Sequence, residues 1–297
     1  MTVQTLASGR PPSARYPSLG GTSGVSLVSP PERNMTLFAG YPNCGKSIFC
    51  ASNPDAFIIN LDKSSFKDPP KATIWPFMTP EGVFTTDGTT PFILTYDHIV
   101  TLIDKLKGLA SGNQPRPRTI IFDSLGSLIP LMQQWAAKQF GKTAWKEIDG
   151  RAGWGLIYDT IASQMNDLHN HGYGVIYTAH LVDSTKKIAE DVVQVVTEIN
   201  LSEALYNHRL LSLFEFVAII EKQPVMVKAP DPRYPNDPRR QIDVPSHRVI
   251  LTDVTANLSL NRELKCRVDL KGPITLPRND GWQVFREAYL SAASTGV

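Results

Sequence analysis

Eight residues near the start of this chain limit its fold more than any others: Gly40-Tyr41-Pro42-Asn43-Cys44-Gly45-Lys46-Ser47. They fit the phosphate-binding loop pattern G-x-x-x-x-G-K-[ST]. Glycines at 40 and 45 let the backbone curl until successive N–H groups converge on an anion. A lysine at 46 reaches β- and γ-phosphates, and a serine hydroxyl at 47 can ligate Mg²⁺. A helix starting at Lys46 would bring its positive end to the same place. The expected binding set is the pattern, Gly40, Tyr41, Pro42, Asn43, Cys44, Gly45, Lys46 and Ser47, with the next residue, Ile48.

The flanks agree with the mechanism, which needs a strand before the loop and a helix after it. Met35, Leu37, Phe38 and Ala39 form an apolar run, as in a buried strand. Residues 47–52 are compatible with a helix, and Pro54 stops it.

Composition narrows the class. The 297 residues suffice for one large domain or two small ones, and 42% apolar with 20% charged residues is ordinary for a globular chain. A net charge of +2 gives no whole-chain argument for nucleic-acid binding, so any such case rests on local patches. Cys44, Cys50 and Cys266 form neither C-x-x-C pairs nor a zinc pattern, which suits a reducing cytosol. No apolar run approaches a membrane span, and the N-terminus lacks a signal-peptide core, so a cytoplasmic protein without a membrane partner is expected.

Residues 1–33 are rich in Pro, Ser, Gly and Thr and read as a flexible tail. A functional alternative for it is an arm that packs on a neighbouring subunit. Residues 34–222 read as the core domain. Residues 223–297 read as C-terminal strands and a terminal helix that continue the same domain.

Ala56–Asp62 is an apolar run ending in a carboxylate, as in a buried parallel strand. Asp62 would then stand at the sheet's carboxyl edge, where open α/β sheets bind ligands. Residues 64–94 look irregular, with a short strand at 73–77. Helical spacing of Ile99, Leu102, Ile103, Leu106 and Leu109 predicts a helix from about 97 to 109, ended by Gly112.

Arg118–Ser124 is the second strong signal: an apolar strand delivering Asp123 to the sheet edge, where an aspartate can hold Mg²⁺ opposite the loop hydroxyl. Residues 126–151 look helical and then polar, and Gly153-Trp154-Gly155 is expected to break the run before a second helix. Tyr173–His180 reads as another strand with a polar end, followed by a polar connection over 181–203. Strands are expected at 213–221, 224–228, 248–254 and 264–270, a loop at 231–240, and a terminal helix from 279 to 291 carrying Trp282, Phe285 and Tyr289. The β-α-β alternation predicts a mainly parallel sheet with helices on both faces.

In order, the phosphate loop, a strand with a carboxylate, a helix, the IIFDS strand, Gly-Trp-Gly, VIYTAH and a β-rich end resemble the phage-encoded RecA-like ATPases of recombination and single-strand annealing. The resemblance covers residues 34–292. It implies a RecA-like P-loop core, ATP with Mg²⁺, homo-oligomeric rings or filaments, and single-stranded DNA as partner. It further implies a host-cell cytoplasmic location and a phage single-strand-binding protein as a second partner.

The same resemblance implies site roles. Lys46 acts on the phosphates, and Ser47 with Asp123 holds the metal. Asp62 stands where the carboxylate that orients or activates water is kept, although glutamate is more usual there. His180 stands where a polar sensor lies between γ-phosphate and DNA-binding loop. The 265–271 strand resembles one that reaches a neighbour's nucleotide, which makes Arg267 or Lys271 a cation acting in trans. Two segments leave strand ends on the nucleotide side and are candidates for DNA contact: Lys142, Trp145, Lys146 and Arg151 in the first, Lys186 and Lys187 in the second. Each of these residues also has an ordinary structural reading, as cap, turn, strand edge or solvated helix face.

Two rival functions stay open on the residues. One is an annealing or DNA-binding protein that uses ATP as a structural ligand without hydrolysing it. The other is a regulatory or motor P-loop NTPase with no DNA role.

Overall fold

The computed structural model describes residues 29–64, 66, 68–79, 83–85, 90–112, 114–189, 192–202, 210–230, 233, 241–253, 268, 270 and 272–295. The tail before residue 29 and the 254–267 stretch, with most of the strand expected at 264–270, lie outside the described residues.

The apolar run before the loop forms β1 (Met35–Gly40). It is central: β7 (Gly174–Ala189) and β9 (Phe216–Pro230) flank it, both parallel to it. Beyond β7 come β6 (Thr119–Asp123), β2 (Ala56–Asn60) and β3 (Thr73–Trp75), all parallel. Beyond β9 come β10 (Gln241–Asp253), antiparallel to β9, and β11 (Ile274–Leu276), antiparallel to β10 and so running with the core strands. The order is β11-β10-β9-β1-β7-β6-β2-β3. Two-residue strands β4 (Phe77–Met78) and β5 (Phe84–Thr85) form a separate ribbon.

Side chains alternate across these strands, and each face has its own core. Leu37, Ile59, Ile120, Phe122, Val175, Tyr177 and Ile219 face one way. They are covered by α2 (Tyr96–Ser111), α3 (Leu125–Gln139) and α4 (Gly150–Asn170). Phe38, Ile58, Ile121, Ile176, Phe216 and Ile220 face the other way. They are covered by the short α1 (Lys46–Ala51) and by α5 (Gly281–Thr295). The run-like, doubly buried composition of these strands follows from having helices on both sides.

The second core is aromatic. Phe285 lies 5.6 Å from Phe38 and 5.8 Å from Phe49 by ring centroid, in edge-on geometry. Trp282 N donates to Ser52 Oγ at 2.9 Å, and Ser52 Oγ donates to Phe49 O at 2.7 Å, so α5 is tied to the end of α1. The C-terminal helix therefore braces the helix that follows the phosphate loop.

Several expectations are corrected. Pro31–Arg33 is a 3₁₀ turn packed into the domain rather than the end of a loose tail: Glu32 is 5% exposed, its carboxylate accepts from Arg286, and its carbonyl accepts from Thr119. Gly153-Trp154-Gly155 lies inside α4 and breaks nothing. Asp149 Oδ1 accepts from the amides of Arg151 (3.0 Å) and Ala152 (3.1 Å), which starts the helix earlier. Gly153 is needed there because a Cβ would stand 2.7 Å from the Trp145 ring.

The connection expected over 181–203 is for the most part a hairpin: β7 continues through His180 to Ala189 and returns as β8 (Val192–Ile199). The strands expected at 213–221 and 224–228 are one, β9, because Pro224 pairs opposite His247 without interrupting the ribbon. The strand expected at 248–254 starts earlier, at Gln241.

Candidate active site

The register brings three strand ends and the middle of β7 to one edge. Gly40 pairs with His180, and Asn60 pairs with Asp123. Phe122 pairs with Tyr177, which sets Asp123 beside Thr178. Of the functional residues expected from sequence, Lys46, Asp62, Asp123 and His180 thus meet at the carboxyl edge of the parallel strands, where such sheets bind ligands.

The loop itself is tightly seated. A Cβ on Gly40 would stand 2.3 Å from Ile220 O, so β9 passes too close for any side chain there. Gly45 has φ +105°, a left-handed conformation open to glycine, and Val249 of β10 lies 3.3 Å from where its Cβ would be. Lys46 is 4% exposed and folds back over the loop: Nζ donates to Gly40 O (2.7 Å) and Tyr41 O (2.9 Å).

Lys46 also reaches His180 Nδ1, at 3.3 Å. An ammonium group has only donors, so Nδ1 accepts and the ring proton sits on Nε2. Nε2 then donates to Asp62 Oδ2 at 3.0 Å. The other Asp62 oxygen accepts from Ser124 (2.8 Å) and Ser127. Burial pushes the Asp62 carboxyl upward, but the hydrogen bonds from His180, Ser127 and Ser124 outweigh it and hold it at about 2. The backbone fixes Asp62 as well: its amide and that of Leu61 both donate to Asp123 O, at 2.9 and 2.6 Å.

Asp123 is 1% exposed. Its Oδ1 accepts from Thr178 (2.5 Å) and its Oδ2 from Ser64 (3.3 Å). Burial raises its pKa, against the pull of Thr178 and Ser47. A divalent cation beside it would reverse that push. The Ser64 hydroxyl lies 3.0 Å from Ser47 Oγ, so a chain of hydroxyls joins Ser47 to Asp123. One carboxylate and hydroxyl oxygens are a hard donor set that suits Mg²⁺ completed by water and nucleotide phosphates. No larger metal-binding cluster of His, Cys, Asp or Glu occurs among the described residues.

A cleft of about 1010 Å³ opens over the loop, bounded by Pro42 to Phe49 on one side. Its far wall carries Lys222, His247, Arg248 and Arg278, from β9, β10 and the turn after β11. A neighbouring cavity of about 260 Å³ is lined by Phe66, Pro69 and Pro70 and shares Ile48 and Arg278 with the cleft. Arg278 is held there by Asp68, at 2.8 Å.

Of the residues expected from sequence, Pro42 to Ile48, Asp62 and His180 line the cleft. Gly40 and Tyr41 underlie it, offering their carbonyls to Lys46, while the Tyr41 phenol turns toward β7. His180 was expected to end its strand; it is where β7 leaves the main sheet and enters the hairpin. Arg267 and Lys271 lie outside the described residues, as do the side chains of Lys186 and Lys187. Lys142, Lys146 and Arg151 are exposed around the start of α4. Trp145 is half-buried, its ring against Gly153 and edge-on to Trp154 at 5.0 Å.

The sequence reading missed Ser64, Ser127, Thr178 and the cation wall. Ser127 follows Asp123 by one helical turn and could have been found from that spacing. The others become neighbours only through sheet register.

A phosphate loop between β1 and α1, with an acidic strand end across the adjacent strand, defines a P-loop nucleotide-binding ATPase fold. A family described as an AAA domain matches residues 32–252, more than half of the 297-residue chain, and the chain belongs to that family. No curated protein matches it. Among the described residues no helix is long and apolar enough to cross a membrane.

Proposed function

We propose that this chain is an oligomeric RecA-like ATPase that binds single-stranded DNA in recombination or annealing, with ATP and Mg²⁺ at its carboxyl-edge cleft. What supports this most is one strand. β7 carries His180, which touches both Lys46 and Asp62, and runs on without a break into the β7–β8 hairpin. A change at the γ-phosphate position would therefore reach a projecting element directly, which is how a nucleotide can reset affinity for a polymer.

In this reading Lys46 and the loop amides hold the β- and γ-phosphates. Mg²⁺ supplies charge neutralisation when bound, held from the protein side by Ser47 and Asp123. Asp62 places the water. The purine enters the smaller cavity beside Ile48, where Phe66 and Pro69 offer apolar surface. A cation from a neighbouring subunit, Arg267 or Lys271, completes the site.

A second reading has its own support. The Asp62 carboxylate is already taken by three donors and is held at about 2, which makes it a weak proton acceptor. A chain that keeps ATP as a structural ligand between subunits needs no more than that.

Phosphate release with and without single-stranded DNA, alongside imaging of the assembly, tests both. DNA-stimulated turnover supports the first reading. Background turnover with filaments or rings still forming on ATP supports the second. Absence of any salt-sensitive DNA binding rejects the DNA role.

A further inference from the structure

We propose that Ser64 is a further residue of the Mg²⁺ site, its hydroxyl being a protein oxygen of the metal shell beside Ser47 and Asp123. The inference rests on the nucleotide-site reading above and deepens it.

Ser64 lies two residues past Asp62, in a stretch without regular structure. It is nevertheless held from both sides. Ser64 N donates to Asn60 Oδ1 at 2.9 Å, and Asn60 Nδ2 donates to Ser64 O at 3.1 Å. Asn60 is the last residue of β2, is 1% exposed, and pairs in register with Asp123. The clip therefore fixes Ser64 relative to the metal-site aspartate through the sheet itself.

The spacing of the hydroxyl is the second observation. Ser64 Oγ is 3.0 Å from Ser47 Oγ and 3.3 Å from Asp123 Oδ2. Mg²⁺ demands near-octahedral oxygens at about 2.1 Å, so neighbouring ligands stand about 3.0 Å apart. Ser47 and Ser64 already have that separation. Asp123 has its Oδ1 occupied by Thr178, which leaves Oδ2 directed at Ser64. Oxygens from three elements (the start of α1, the end of β6 and the turn after β2) thus gather around Ser64, which stands at ligand-to-ligand spacing from Ser47 and close to it from Asp123, while Ser47 also hydrogen-bonds the Asp123 carboxylate. Nothing about a loose surface serine would require a two-way clip from a buried asparagine.

The test uses the full chain and a slowly hydrolysed fluorescent ATP analogue, titrated over a range of Mg²⁺ and separately in EDTA. Ser64→Ala is expected to bind the analogue in EDTA as the unchanged chain does, while the Mg²⁺ needed for half-maximal tightening rises about tenfold. Ser64→Thr, which keeps the hydroxyl, is expected to stay close to the unchanged chain. Thermal melts of each variant check folding. An S64A midpoint equal to or below that of the unchanged chain overturns the proposal, since Ser64 would then only fill the gap between Ser47 and Asp123. If the unchanged chain binds no nucleotide, or Mg²⁺ adds nothing, the nucleotide-site reading itself fails.

Discussion

The Tyr41 hydroxyl donates to Asp183 Oδ1 at 2.5 Å, joining the second residue of the phosphate loop to the β7–β8 hairpin. Asp183 also accepts from Thr197 on the returning strand, at 2.8 Å, so one carboxylate ties the loop to both strands. Those hydrogen bonds lower the Asp183 pKa, and the bond to Asp183 raises that of Tyr41. The Tyr41 carbonyl, in turn, accepts from Lys46 Nζ. A phosphate that draws Lys46 away from the loop carbonyls acts on the same residue that holds the hairpin.

Tyr41→Phe tests this link. The pair is exposed, so the melting temperature should hardly move. Amide exchange over residues 181–189 and 192–199 should become faster in the nucleotide-free chain. Unchanged exchange there would mean that the hairpin is held by its own ladder alone.

Asp62 sets an acid limit. Its folded-state pKa of about 2 lies below the ordinary 3.8, so the unfolded chain takes up the proton first. The stability it contributes is complete above about pH 5 and is lost as pH falls through 4 toward 2. The side chain is 18% exposed, and the shift is worth roughly 2 kcal/mol. Denaturant titrations of the unchanged chain and Asp62→Asn should converge by that amount between pH 5 and pH 2. If Asp62 places the water, the same variant should keep ATP binding and lose roughly a hundredfold or more in turnover.

Gly45→Ala should separate loop geometry from fold. The left-handed φ of +105° costs a side chain about 1–2 kcal/mol, and Val249 at 3.3 Å adds crowding. Nucleotide affinity should collapse while far-ultraviolet circular dichroism stays that of the folded chain. Pairing the change with Val249→Ala should recover part of the stability and none of the affinity.

The loop, Asp123 and the parallel core were legible in the sequence because each is local: a glycine spacing, or an apolar run with a carboxylate at its end. The aromatic stripe of α5 was legible too, but what it packs on was not. Phe285 meets Phe38 and Phe49, which are over 230 residues away in the chain. Register defeated local reading most. Ser64 matters only because Asn60 pairs with Asp123, and Lys222 reaches the cleft only because β9 runs past Gly40 as a single strand. The Gly-Trp-Gly break was misjudged for a similar reason: Gly153 answers to the Trp145 ring, not to a turn.

Phe285→Ala tests whether the C-terminal helix braces the loop. The ring is 1% exposed and touches Phe38, Phe49, Phe216 and Tyr289. Removal should cost about 3–5 kcal/mol in denaturant unfolding. Because Phe49 belongs to α1, nucleotide affinity should weaken as well. A stability loss with full affinity would show that α5 holds the sheet without bracing the loop.

The proposed DNA role can be tested at the exposed cations between α3 and α4. Lys142, Lys146 and Arg151 are exposed between the end of α3 and the first turn of α4, and the half-buried Trp145 among them packs edge-on against Trp154 and beside Gly153. Contact there would be with phosphates and carry little base stacking, so it should depend steeply on salt and little on base identity. Each phosphate neutralised on a single strand contributes about −0.7 to the slope of log affinity against log salt. The triple change to alanine should make that slope shallower by about 2 and weaken binding to poly-dT and mixed sequence alike. ATP binding should be unaffected, since none of the three lines the cleft. An unchanged slope would move the DNA contact to the β7–β8 hairpin, where Lys186 and Lys187 are the next residues to change.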